Sequence, residues 1–274
     1  MTLNSFELTD KIAVVTGATG ALCSAMCHGL ADAGATVVVL ARDQAKIDAL
    51  VSALTAKGAQ ALGISADVLD KSALQSACKQ VMDTYGRVDI LVNGAGGNRS
   101  DATTMPGQRT FFDLPQDAIQ WVFNLNFIGS VLASQVFGEI MTQQGTGVIL
   151  NVSSMASYQP MTRVVSYSAA KAGINNFTHW LAIYMAKEHS KDIRVNAIAP
   201  GFFLGEQNRY LLIDKESGDL TERGQLIIDH TPMDRFGDAE DLVGTVIWLV
   251  SDASRFVTGI VVPVDGGFMA YSGV

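Results

Sequence analysis

Three cysteines in 274 residues are too few for a disulfide framework, and two of them, Cys23 and Cys27, stand one helical turn apart. A reducing compartment is the expectation. Basic excess is missing too: 27 acidic residues face 19 Lys and Arg, for a formal net charge of −8. Such a balance provides no broad basic face for nucleic acid or anionic lipid, so partners are expected among small molecules and other subunits. The four histidines, His28, His179, His189 and His230, lack metal-ligand spacing, and no metal site is expected. Met1 to Lys11 carries Glu7 and Asp10 and no apolar run of signal length. The uncharged stretch 118–138 approaches a membrane span in length but contains Gln120, Asn124, Asn126, Ser130, Ser134 and Gln135, too polar for lipid. It reads as a buried helix, and the protein is expected in the cytoplasm with no membrane partner.

Linkers, low-complexity tracts and internal repeats are likewise lacking, and 48% of the residues are hydrophobic, which excludes disorder. What is present is an alternation. Short apolar runs at 12–15, 37–40, 59–64, 88–92, 148–152, 194–198 and 260–264 read as strands. Helical patterns at 21–33, 44–56, 72–85, 116–141, 166–189 and 240–250 separate them. Strands of β-branched residues between amphipathic helices predict one α/β domain, a Rossmann-type doubly wound parallel sheet with helices on both faces. Segments 97–114 and 200–233 escape the alternation and follow strands, which makes them the candidate substrate loops.

From Ala118 to Ala186 the only formally charged side chains are Glu139, Arg163 and Lys171. That scarcity predicts helices covered on more than one side, by the sheet and by another subunit, in a homo-dimer or homo-tetramer. Lys171 is expected to be partly desolvated, a position that calls for a partner or a task.

Directly after the first strand the chain reads Thr16-Gly17-Ala18-Thr19-Gly20-Ala21-Leu22-Cys23. A tight turn that opens a helix offers free N–H groups to a pyrophosphate, so Gly17, Thr19, Gly20 and Leu22 are candidate dinucleotide contacts. After the second strand Ala41 stands where a ribose-reading acid is usual, and Arg42 follows. A guanidinium suits a 2′-phosphate, which favours NADP over NAD. Tyr167 and Lys171 are four residues apart and share a helix face. An ammonium beside a phenol, together with a nicotinamide cation, favours the phenolate; a lowering by about 3 pKa units corresponds to about 4 kcal/mol. Ser154, beyond the strand at 148–152, can hydrogen-bond the same substrate oxygen.

With these residues in place the chain resembles the short-chain dehydrogenase/reductase family from about Ile12 to Gly267. The resemblance rests on Thr16-Gly17 with Gly20, Asp67-Val68, Asn93-Gly94-Ala95-Gly96, Asn126, and Ser154 thirteen residues before Tyr167-Ser168-Ala169-Ala170-Lys171. Asn196, Pro200-Gly201 and Asp265-Gly266-Gly267 extend it. It implies that Ser154 orients a carbonyl, Tyr167 exchanges the proton, Lys171 binds the nicotinamide ribose, and Asn126 holds a water in the proton relay. Asp67 and Val68 would contact adenine, Asn93, Ala95 and Gly96 would line the cofactor channel, and Pro200 and Gly201 would pass beside the nicotinamide. Three positions depart from the family pattern: Cys23 replaces the third turn glycine, Gly94 an asparagine and Gly205 a threonine.

Within the family, the runs at 93–98 with 101–104, 111–114, 201–204 with 206–209, 231–233 and 267–274 resemble the D-mannonate oxidoreductase (fructuronate reductase) group. That resemblance implies a keto or hydroxy sugar acid as substrate, with other keto acids, polyols and ketoacyl substrates, or a non-catalytic dinucleotide sensor, as alternatives. Sugar hydroxyls need amide partners, for which Asn98, Gln207 and Asn208 are placed in the loops. A carboxylate in an acidic protein needs a local cation, for which Arg99, Arg163 and Arg209 are the candidates.

Overall fold

A computed structural model describes residues 3–205, 209 and 211–273. Among these residues the strands are β1 (Ile12–Thr16), β2 (Thr36–Ala41), β3 (Ala61–Ser65), β4 (Ile90–Asn93), β5 (Gly147–Val152), β6 (Ile193–Pro200) and β7 (Val261–Val264). They pair in parallel in the order β3-β2-β1-β4-β5-β6-β7, the expected doubly wound sheet. Side chains alternate between two cores. Ala13, Val15, Val37 and Val39 point to one, with Met26 and Leu30 of α1 (Ala21–Asp32) and Val246 and Leu249 of α8 (Val243–Val250). Ile12, Val14, Val38 and Leu40 point to the other, with Leu74 and Val81 of α3 (Lys71–Tyr85) and Phe137 and Met141 of α5 (Gly129–Gln144). Burial on both faces explains why these strands read as continuous apolar runs without the polar alternation of a one-sided sheet.

Helix starts follow local chemistry. Asp43 caps α2 (Gln44–Ala56), its carboxylate accepting from Lys46 N at 3.2 Å. Asp70 caps α3 by accepting from Ser72 N and Ala73 N at 2.9 and 3.1 Å. Such caps satisfy N–H groups that a helix leaves open.

Two expectations change. The helix expected over 116–141 is α4 (Gln116–Phe123) and α5 joined by a π-helical turn, Asn124–Ile128, so the pattern runs through a local widening that periodicity does not register. The segment 200–233 is not all loop, because α7 (Glu222–Asp229) forms within it, capped by Thr221, whose hydroxyl accepts from Gly224 N at 3.0 Å. Its apolar side is short, and it is held by distant residues: Leu212 and Ile227 join Met155 and Phe268 in a small separate core. On α6 (Val165–Tyr184), Trp180, Ile183 and Tyr184 lie exposed, an outer apolar side left open among the described residues. Among the described residues no helix is long and apolar enough to cross a membrane, and no cluster of His, Cys, Asp and Glu could hold a metal.

Candidate active site

β1 and β4 are neighbours in the sheet, and their connections leave in opposite directions, which opens a crevice beyond their carboxyl ends. Thr16, the last residue of β1, closes its floor. Its hydroxyl donates to Val92 O at 3.3 Å and accepts from Gly94 N and Ala95 N at 3.1 and 3.2 Å. Gly17 follows at φ 62°, and a Cβ there would come within 2.6 Å of the Ala95 backbone, so only glycine permits this approach. Gly20 begins α1 without a side-chain cap, which leaves the first N–H groups of the helix for an outside acceptor. Thr19 and Leu22 are half-buried at the same turn. The donor set fits the pyrophosphate of a dinucleotide.

At the far end of the crevice β2 finishes on Ala41, with no carboxylate at the strand end. The Arg42 side chain is 63% exposed, and its guanidinium stands 3.9 Å from the Asp67 carboxylate, a loose pair that leaves it open to another anion. Asp67 also accepts from Leu69 N at 2.9 Å, and Val68 is buried beside Gly129. At the other end Pro200 terminates β6, and Gly201 N donates to Val264 O at 2.9 Å.

The expected proton-handling residues meet. Ser154 follows β5, Tyr167 and Lys171 lie in α6, and the Ser154 side chain is near enough to the Tyr167 phenol to favour its ionised form. The Lys171 ammonium is 5.6 Å from the centre of the Tyr167 ring and donates to Val152 O at 2.7 Å. Asn126 stands in the π-helical turn, fully buried. Its amide clamps the loop after β4: Nδ2 donates to Gly97 O at 2.6 Å and to Val122 O at 2.8 Å, while Oδ1 accepts from Gly97 N at 3.1 Å. Gly96 brings Asn126 and Lys171 together, since a Cβ on it would lie 2.7 Å from Asn126 Oδ1 and 3.4 Å from Lys171 Nζ.

Electrostatics differ from expectation at the phenol. Burial raises the Tyr167 pKa above its ordinary value, and the Ser154 side chain only partly opposes this. The Lys171 charge is itself costly in this buried place: desolvation brings the amine down from 10.5 to about 8. The protein's own groups therefore keep Tyr167 as a neutral proton donor.

On the substrate side the structure sorts the candidates. Arg99 forms a two-point ion pair with Asp101, its nitrogens 2.9 and 2.5 Å from the carboxylate, and lies over the Trp121 ring, so its charge is already neutralised. Asn98 donates to Thr103 Oγ1 at 2.9 Å and shapes its own loop. Arg163 precedes α6 and has no carboxylate partner among the described residues, and Arg209 is exposed. Gln207 and Asn208 lie outside the described residues. Asn93 is 1% exposed and turns inward, donating to Ser134 Oγ and Asn151 Oδ1, both at 2.9 Å. Its side chain holds β4 to β5 and α5.

Some positioning residues carry no sequence signal of their own. Ser153 donates to Asn175 Oδ1 at 2.5 Å and Lys171 O at 3.3 Å, fixing α6 against the end of β5. Asn151 donates to Thr178 Oγ1 at 2.9 Å and does the same one turn further on. Isolated Ser, Thr and Asn in apolar helices are the available hint, because such groups persist in a core only with partners.

Known proteins are similar in sequence and fold. The model of the short chain dehydrogenase family matches residues 11–215. An uncharacterized oxidoreductase of Bacillus subtilis (strain 168) is 50% identical, covering 98% of each chain. The 2-dehydro-3-deoxy-D-gluconate 5-dehydrogenase of Dickeya dadantii (strain 3937) is 34% identical over 98% of this chain and 100% of its own. Among solved structures, a candidate D-mannonate oxidoreductase from Haemophilus influenza with bound NAD superposes with a TM-score of 0.92 at 41% identity, covering 100% of both chains. A gluconate 5-dehydrogenase from Burkholderia cenocepacia J2315, in complex with NADP and tartrate, gives 0.88 at 28% identity over 98% of this chain and 99% of the other. A glycine turn under a switch-point crevice, a half-buried Tyr and a buried Lys on one helix and these matches lead to one conclusion: the chain belongs to the short-chain dehydrogenase family and is an NAD(P)-dependent oxidoreductase.

Proposed function

We propose that this oxidoreductase interconverts a keto and a hydroxy sugar acid of the fructuronate and mannonate kind, with NADP favoured over NAD. The observation that carries the reading is the meeting of Ser154, Tyr167 and Lys171 beside the crevice at the carboxyl end of β5. Sugar-acid names among the relatives support the substrate class. The nicotinamide, when bound, supplies or takes up the hydride. Ser154 holds the substrate oxygen in line with the phenol, and Tyr167, kept neutral by burial, gives its proton to that oxygen during reduction. Lys171 holds the ribose and refills the phenol through the relay. Asn126 has two roles, as a relay member and as the clamp on Gly97 that keeps the crevice wall in place. Gly17, Thr19, Gly20 and Leu22 hold the pyrophosphate, Arg42 a 2′-phosphate, and Asp67 and Val68 the adenine. Ala95, Gly96, Pro200 and Gly201 line the nicotinamide end.

The exposed Trp180, Ile183 and Tyr184 support assembly as a homo-dimer or homo-tetramer, and the composition supports a cytoplasmic location. A spectrophotometric screen of uronate-derived keto acids with NADH and NADPH tests the reading. Turnover of fructuronate well above that of neutral ketones is the expected result, and turnover of none of the keto acids overturns it.

A further inference from the structure

Arg163 lies in the stretch that connects Ser154 to Tyr167, and its backbone is left-handed, φ 80°. Glycine enters that conformation freely, whereas a long side chain enters it at a cost, which at functional sites accompanies a fixed side-chain direction. The bend is also held in place: Arg163 O accepts from Thr104 N at 3.0 Å, so the loop after β4 is stitched to it.

A second guanidinium reaches the same bend from α7. The helix sits there because Ile227 and Leu212 share an apolar cluster with Met155, the neighbour of Ser154, and with half-buried Met161. Arg223, on α7, donates to Thr162 Oγ1 at 3.2 Å, one residue before Arg163. Burial lowers the Arg223 pKa, and the nearby charge of Arg163 lowers it further. Neither arginine has a carboxylate within 4.0 Å among the described residues, which is equally true of Arg109, Arg194 and Arg255, whereas Arg42, Arg87, Arg99 and Arg235 have acidic partners; what sets this pair apart is its mutual proximity. In a chain of net charge −8, two adjacent cations, one of them strained, with no acid beside them among the described residues are most simply explained by an anion that comes from outside.

We propose that Arg163 and Arg223 together bind the carboxylate of the substrate and so set the distance from that carboxylate to the carbonyl at Ser154 and Tyr167. Sequence alone singles out Arg163 but not Arg223, which stands in a segment without a legible partner. The assignment rests on the sugar-acid reading, and its test separates the two.

Steady-state kinetics are measured on D-fructuronate and on D-fructose, which differ in carboxylate against hydroxymethyl, for the parent protein, Arg223→Gln, Arg163→Gln and Arg223→Lys. Dinucleotide affinity, read by fluorescence, checks that each variant is folded. The expected result is a KM for fructuronate raised about tenfold or more in either Gln variant, with kcat and the fructose reaction little changed and part of the loss recovered in Arg223→Lys. A parent that prefers fructuronate, with Gln variants that keep the preference, overturns the arginine pair and leaves the sugar-acid reading intact. A parent that does not distinguish the two sugars, or turns over neither, overturns that reading and the pair with it.

Discussion

The Cys23 thiol occupies the space that a side chain at position 94 would need. A Cβ on Gly94 would collide with Cys23 Sγ and lie 2.9 Å from Thr16 O, and the thiol donates to Gly94 O at 3.6 Å. Two departures from the family pattern, which look independent along the chain, are thus one packing arrangement between the start of α1 and the loop after β4.

Their coupling is measurable. Gly94→Ala overpacks this contact and is expected to destabilise by about 1–3 kcal/mol. Adding Cys23→Ala removes the sulfur and should recover part of that loss, giving an interaction energy of about 0.5–3 kcal/mol in a double-mutant cycle read by denaturant unfolding. Strictly additive effects would mean that the two positions do not share the space.

Tyr167→Phe keeps the ring packed against the Ala102, Ala118 and Val122 cluster and removes only the hydroxyl. Turnover is expected to fall by about 100- to 10,000-fold while dinucleotide binding, followed by fluorescence titration, stays within a factor of two or so. Retained turnover would displace Tyr167 from the proton step.

Acidity gives a directional test. Burial holds the Tyr167 phenol above its ordinary value, so reduction, which needs the neutral phenol, should hold steady through neutral pH. Oxidation of the hydroxy acid needs the phenolate and should accelerate as pH rises. The comparison is kcat/KM in both directions from pH 6 to 10; oxidation that slows with rising pH contradicts the assignment.

The buried amine makes a separate statement about stability. Lys171 drops from 10.5 to about 8 on folding, so between about 8 and 10.5 the unfolded chain keeps a proton that the folded one has released. Stability contributed by this group therefore rises across that window, by about 1.4 kcal/mol per pH unit, and the penalty of the buried ammonium is fully present below it. The raised thiol pKa values of Cys23, Cys27 and Cys78 act in the opposite sense above pH 9. Because those thiols are common to both proteins, the difference between the parent and Lys171→Met isolates the lysine. That difference should climb from pH 8 to 10, and a flat line would place Lys171 in water.

For the dinucleotide, Arg42→Ala should weaken NADPH binding about tenfold and leave NADH little changed if, as proposed, the guanidinium takes the 2′-phosphate that only NADPH carries. Isothermal titration with both nucleotides decides it. An equal loss for both would mean that Arg42 acts on the adenine end in general.

By itself the sequence determined the strands, nearly all the helices and the placement of Tyr167 above Lys171, because side-chain period and turn residues are written locally along the chain. It also marked Ser154, by its place beyond the strand at 148–152, with the spacing to Tyr167 carrying meaning only through the family resemblance. Which side chains were already satisfied was beyond its reach: Asn93 is spent on Ser134 and Asn151, and Arg99 on Asp101. Nor could it register the π-helical turn that aims Asn126 at Gly97, or α7, whose short apolar side is stable only against Met155 and Phe268. The shared space of Cys23 and Gly94 and the meeting of Arg163 with Arg223 belong with these, since each depends on volume and charge contributed by residues some 60 or 70 positions away. Tertiary structure alone brings such residues within a few ångströms, where exclusion and Coulomb forces act.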